Sequence, residues 1–168
     1  MTDPGFADIL AANTTYAQTF HLGGLSPQAA KGLGVLTCID SRIEPLTMLG
    51  LEPGDAKILR NAGARVTDDA LRSLVLAVHF LSVRRIAVIQ HTRCKMTEAS
   101  NAELRHEITA LTHEPTDHWD FHAIEDQSAV LVDDIDQLRK CRLIPDTVEI
   151  AGLIYDVDSG LLRLECTA

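Results

Sequence analysis

At 168 residues, with 46% hydrophobic and 23% charged side chains, the chain is long enough to bury a core as one domain and is too apolar to stay disordered. Its 24 Asp and Glu against 15 Lys and Arg leave a formal net charge of -9, which repels phosphate backbones and anionic lipid and so sets aside nucleic acid and membrane surfaces as partners. The N-terminus carries no basic stretch followed by an apolar run, the longest apolar run is only Leu74 to Val78, and four widely spaced cysteines lack any secretion signal, so a soluble, cytoplasmic protein with reduced thiols is expected.

Residues from about Pro4 to Phe20 read as a helical arm, because Phe6, Ile9, Leu10, Asn13, Tyr16, Ala17 and Phe20 recur near helical spacing. The glycine-bearing stretch "HLGGLSPQAAKGLG" then reads as a linker. Residues 1–30 thus form an arm and linker, and residues 31–168 the core of a single domain. "VLTC" (Val35 to Cys38) is a short apolar strand, and "EPLTMLGLEPGD" a short helix stopped by Gly50 and a turn at Pro53-Gly54. "AKILRNAG" is a second strand running into a glycine turn.

"TDDALRSLVLAVHFLS" begins at an N-cap, Thr67 or Asp68, and is apolar around most of its circumference, which predicts a deeply buried helix. "RRIAVIQHT" is an almost continuous apolar run, as expected of a central parallel strand covered on both faces. Two further helices follow in "TEASNAELRHEITALT" and "IEDQSAVLVDDIDQLRKC", separated by a polar loop rich in histidine. "TVEIAGLIYDVDSGLLRLE" predicts a strand hairpin around "DVDSG". The class is α/β: a central, mainly parallel β-sheet flanked by helices, with an N-terminal helical arm and a C-terminal strand hairpin.

In such a sheet, functional side chains gather where strands end. Cys38 closes the first strand; His91 and Cys94 lie at and just beyond the end of the third. If those strands are neighbours, the three converge as a Cys₂His set that suits zinc and leaves one coordination position open. Asp40 and Arg42 follow Cys38 at two-residue spacing, which on an extended segment puts all three on one side. Taken singly, Cys38 fits a buried small hydrophobe equally well, and Asp40 with Arg42 a surface ion pair.

"CIDSR", then "RNAG" after the next strand, then "HTRC" after the third, in this order, resembles the β-class carbonic anhydrases, whose hallmark is C-x-D-x-R followed by H-x-x-C. The resemblance implies that Cys38, His91 and Cys94 bind one zinc per chain, with Asp40 and Arg42 as a catalytic dyad beside it. It implies reversible hydration of carbon dioxide to bicarbonate and a proton by attack of zinc-bound hydroxide, in a homodimer or dimer of dimers. Two alternatives stay open: hydrolysis of carbon disulfide or carbonyl sulfide at the same zinc, and a non-catalytic zinc-binding relative. A state in which Asp40 itself closes the fourth zinc position is known in part of the family and is open here too.

The chain departs from the family pattern at Lys95, where glycine is usual, and at Arg93, where a small or acidic residue is common. If position 95 needs positive φ, lysine adds about 1 kcal/mol of strain, and two cations beside the metal could draw anions. His106, His113, His118 and His122 read as solvated loop residues, His79 as a hydrogen-bonded core histidine, and Cys141 and Cys166 as packing residues. "RNAG" has too few glycines for a phosphate loop and reads as a tight turn bringing backbone close to the pocket.

Overall fold

The computed structural model describes residues 5–167, so Pro4, where the arm was expected to begin, lies outside the described residues. In chain order the elements are α1 (Ala7–Gln18), β1 (Leu33–Cys38), α2 (Pro45–Met48), β2 (Ala56–Asn61), α3 (Asp68–Phe80), β3 (Arg85–His91), α4 (Asn101–Thr112), α5 (Gln127–Lys140), β4 (Glu149–Tyr155) and β5 (Leu162–Thr167). The strands form one sheet in the order β2-β1-β3-β4-β5. The first four are parallel, and β5 returns antiparallel to β4. The predicted α/β class, the central place of β3 and the terminal hairpin are all present.

The sheet order explains where the site can lie. β1 is flanked by β2 and β3, so the segments leaving the carboxyl ends of β1 and β3 emerge side by side. One face of the sheet, with Leu36, Ile86, Val88, Ile150 and Ile154, packs against Leu74 and Ala77 of α3 and Leu131, Ile135 and Leu138 of α5 in the main core. Gly152 lets α5 lie close on β4. A Cβ there would stand 2.9 Å from Leu131 and 2.8 Å from the Cys166 sulfur.

Local chemistry fixes the helix starts. The Thr67 side chain accepts from Ala70 N–H, Ser100 and Glu103 form a reciprocal capping box, and the Asp126 side chain accepts from Ala129 N–H. A buried ion pair, Arg65 to Asp134 at 2.8 Å, ties the segment after β2 to α5. Burial pushes the Asp134 carboxyl up even beside that guanidinium.

Two expectations need correction. α3 is not deeply buried: Ala70, Leu74 and Ala77 face the core, while Leu76 and Phe80 are exposed. A helix on one face of a sheet buries a single stripe, and among the described residues nothing else covers Leu76 and Phe80. His79 accordingly lies on the surface, with Nε2 2.8 Å from the Leu143 carbonyl oxygen.

The sheet's second face is similarly uncovered in part. Leu33, Ile58, Ala87, Ala151 and Leu153 share that face by register and are only half-buried. α1 forms as predicted but buries none of its residues, and Phe6, Ile9, Leu10, Tyr16 and Phe20 are each at least half exposed.

Candidate metal centre

Cys38 ends β1 because its sheet partner, Asn61, ends β2. Arg60 then closes the strand end, donating from Nε to the Cys38 carbonyl at 2.8 Å and from Nη2 to the Asp40 carbonyl at 2.7 Å. His91 ends β3, and Cys94 follows in the turn beyond. All three side chains are buried, and their ligand atoms lie within 4.8 Å of one another. Among the described residues this is the one such cluster of histidine, cysteine and carboxylate groups. The loop histidines are elsewhere, with His122 beside Asp120 at 3.6 Å and His118 against Trp119.

The donor set fits a metal by three tests. His91 Nδ1 is 2.9 Å from the Thr92 carbonyl oxygen, so it carries the proton and donates there. That leaves the Nε2 lone pair free. Nε2 is buried without a hydrogen-bond partner, a costly arrangement for a polar atom unless something else occupies it. The sulfurs of Cys38 and Cys94 are 3.9 Å apart, against about 3.8 Å for two sulfurs bound at about 2.3 Å to one tetrahedral zinc.

The two thiols also interact electrically. The Cys38 thiol is lowered to about 4, first by the hydrogen bond from Cys94 and then by His91 and the backbone N–H groups of Asp40 and Gly63, which together outweigh its burial. Cys94 is pushed up by the same hydrogen bond and by burial. Gly63 belongs to "RNAG", and its N–H donates to the Cys38 sulfur at 3.4 Å. Its φ of 78° and the Ile124 methyl 3.0 Å from where a Cβ would stand explain why glycine sits there. Asn61 closes this turn, accepting from Arg65 N–H and donating to Arg65 C=O. The tight turn expected from the sequence thus brings backbone onto a candidate ligand.

Asp40 and Arg42 do face each other, but not by strand alternation. β1 has ended, and the Asp40 side chain folds the chain into a turn by accepting from Arg42 N–H at 2.9 Å. Arg42 Nε and Nη2 then donate to Asp40 Oδ1 and Oδ2 at 2.9 and 2.7 Å, a bidentate pair. These bonds hold the Asp40 carboxyl well below the usual carboxylate range. Asp40 Oδ2 lies 3.8 Å from His91 Nε2, at the mouth of the cluster.

Lys95 does not need positive φ; the left-handed residue is Arg93, with φ 53°, a conformation that costs a side-chain-bearing residue roughly 1–2 kcal/mol. Neither cation points at the sulfurs unpaired. Lys95 binds Glu98 at 2.8 Å, and Arg93 binds Asp158. Sequence reasoning missed Arg60, Asp158, which pairs with the Arg93 flagged from the sequence, and Gln127, whose Nε2 donates to the His91 carbonyl at 2.9 Å. Each acts across the fold, and no local spacing announces it.

Comparison with known proteins agrees with this geometry. A family model described as carbonic anhydrase matches residues 33–162. The chain is 33% identical over 161 residues to beta-carbonic anhydrase 1 of Mycobacterium tuberculosis, covering 93% of this chain and 94% of that protein. It is 34% identical over 155 residues to a carbon disulfide hydrolase of Acidianus sp., covering 78% and 76%. The solved structure of carbonic anhydrase from Streptococcus mutans superposes with a TM-score of 0.92 at 36% identity, covering 99% of this chain and 100% of that one. A family match across most of the chain, with a third of positions shared over nearly all of a β-class relative, establishes that the chain belongs to the β-carbonic anhydrase family.

Proposed function

We propose that Cys38, His91 and Cys94 hold one zinc ion per chain, and that the protein catalyses the reversible hydration of carbon dioxide to bicarbonate and a proton. The observation that carries the reading is the buried, unpartnered His91 Nε2 beside two sulfurs at zinc-ligand spacing. When bound, zinc supplies Lewis acidity that makes hydroxide available from water near neutral pH. Two thiolates formally cancel the charge of the ion, so the protein's own groups must do more here than beside neutral ligands.

Asp40 is the group placed for that work. Its carboxylate stays ionised, lies at the mouth of the cluster, and can accept a hydrogen bond that turns a nucleophile's lone pair toward carbon dioxide. Arg42 keeps both carboxylate oxygens in one plane, which is an orienting role. His91 holds its tautomer through Thr92, and Gly63 N–H stabilises negative charge on the Cys38 sulfur. The polar hydrogen bonds around Asp40 argue against a non-catalytic site, which would have no use for a clamped, ionised carboxylate at its opening.

Carbon dioxide is the substrate we favour over carbon disulfide or carbonyl sulfide, because the Streptococcus mutans carbonic anhydrase superposes with a TM-score of 0.92 at 36% identity and a solved carbon disulfide hydrolase with 0.70 at 28%. The second reading stands on the equal identity of the Acidianus hydrolase. Metal analysis and stopped-flow assays with all three substrates on one preparation should show about one zinc per chain and hydration of carbon dioxide. A zinc-loaded protein active only on carbon disulfide or carbonyl sulfide would establish the second reading instead.

The chain is further proposed to act as one domain in a cytoplasmic homodimer or dimer of dimers. α1 exposes an apolar face and the second sheet face is half-open, two surfaces that a neighbouring protomer would cover. The four free cysteines suit a reducing compartment, and among the described residues no helix is long and apolar enough to cross a membrane. Sedimentation at micromolar concentration should give a dimer or tetramer, and substituting Leu10→Asp should shift it toward monomer. A stable monomer with its arm helical speaks against this assembly.

A further inference from the structure

The Arg42 side chain makes a contact that the Asp40 pairing does not require. Nη2 also donates to the Arg93 carbonyl oxygen at 2.9 Å. A half-exposed Arg–Asp pair two residues apart has many rotamers open to it and is weak in isolation. A third, fixed acceptor selects one guanidinium orientation, and that orientation sets the plane of the Asp40 carboxylate.

The Arg93 carbonyl is aimed there because Arg93 holds the left-handed conformation. That conformation is disfavoured for a residue with a Cβ, so something outside the turn must maintain it. The β4–β5 turn does so. Arg93 Nη2 donates to Asp158, Thr92 N–H donates to the Tyr155 carbonyl at 2.9 Å, and Val157 N–H donates to Thr92 Oγ1 at 3.1 Å. Asp158 is itself held by the turn, since Asp156 Oδ1 accepts from the N–H groups of Asp158 and Ser159 at 2.8 and 3.0 Å. The two loops are therefore joined at three points, and just one of the three, Asp158 to Arg93, is a side-chain ion pair.

We propose that Asp158 is a positioning residue for the dyad, acting through the Arg93 side chain, the Arg93 carbonyl and Arg42 on the Asp40 carboxylate. The proposal rests on the assignment of Asp40 and Arg42 made above. It does not place Asp158 in contact with substrate. It gives Arg93 a purpose: its side chain, paired with Asp158, anchors the backbone whose carbonyl accepts from Arg42.

The test uses the zinc-loaded protein. In Asp158→Ala, kcat and kcat/KM for carbon dioxide should fall together by about tenfold, within the range seen when outer groups orienting a metal site are lost, with KM and zinc content unchanged. Asp158→Glu should restore at least about half of the activity, because it keeps the charge that Arg93 needs. In the Arg42→Ala background the same Asp158→Ala change should add less than about a twofold loss, since groups acting through one chain of contacts are not additive. A crystal structure of Asp158→Ala should show Arg42 Nη2 released from the Arg93 carbonyl. An unchanged Arg42–Arg93 bond in that structure, or an equal loss in both backgrounds, overturns the proposal. A wild-type protein without carbon dioxide hydration would instead sink the functional reading, and the crystal structure would still decide the role of Asp158.

Discussion

Replacing Cys94 with alanine is expected to abolish stoichiometric zinc and to lower carbon dioxide hydration on the order of a thousandfold, because Lewis-acid catalysis contributes several kcal/mol and each 1.36 kcal/mol is tenfold in rate. The change leaves Cys38 and His91 as a two-ligand remnant on different strands. It should leave the fold intact. Cys94 packs only in the small cluster with Cys38 and Ile43, apart from the main core between the sheet and helices α3 and α5. Far-ultraviolet circular dichroism should therefore match the wild type while metal analysis reads near zero. A variant that retained one zinc per chain would show that the ligand set is wrong.

Arg42→Ala should have the next largest effect, a loss of about 10–100-fold, accompanied by a change in what surrounds the metal. Without its clamp the Asp40 carboxylate is free to turn. Oδ2 already lies 3.8 Å from His91 Nε2, whereas oxygen and nitrogen donors on one tetrahedral zinc sit about 3.3 Å apart. A small rotation suffices for Asp40 to take the fourth position, and a carboxylate bound to metal can no longer orient a nucleophile. Crystals of the zinc-loaded variant grown at alkaline pH should show Asp40 on the metal. An open site with Cys₂His ligation would mean that Arg42 has another role.

The same pair sets a direction for pH. Arg42 depresses the carboxyl of Asp40, so whatever stability the dyad adds is present above the unfolded carboxylate value of about 3.9 and is lost as pH falls through the lower folded value. Protonation of Asp40 is therefore not expected to change activity near neutral pH.

The order of elements and the three candidate ligands were legible because they rest on local signals: apolar runs, glycine turns and residues at strand ends. Adjacency of β1 and β3 was not. It follows from a crossover that places β2 on the far side of β1, and only this puts Cys38 beside His91. The spacing of Cys38, Asp40 and Arg42 pointed to the correct juxtaposition through the wrong geometry, since an aspartate-closed turn replaces strand alternation. The burial of α3 was overestimated because periodicity reports how apolar a helix is, not how many neighbours the fold supplies. Arg60 and Asp158 act from 22 and 65 residues away on the groups they touch. No window of sequence holds both ends of such a contact.

Helix α1 has a thermodynamic consequence beyond packing. Its twelve residues bury no side chain in their own protomer, and an isolated helix shorter than about 12–15 residues is marginal in water. In the proposed assembly its order and the covering of its apolar face are one equilibrium, in which protein concentration enters as a variable. On dilution, the helicity of the arm should decline along the same curve as the fraction of associated chains. The core between the sheet and helices α3 and α5 is built within a single chain, so its melting should depend less on protein concentration than the order of the arm does.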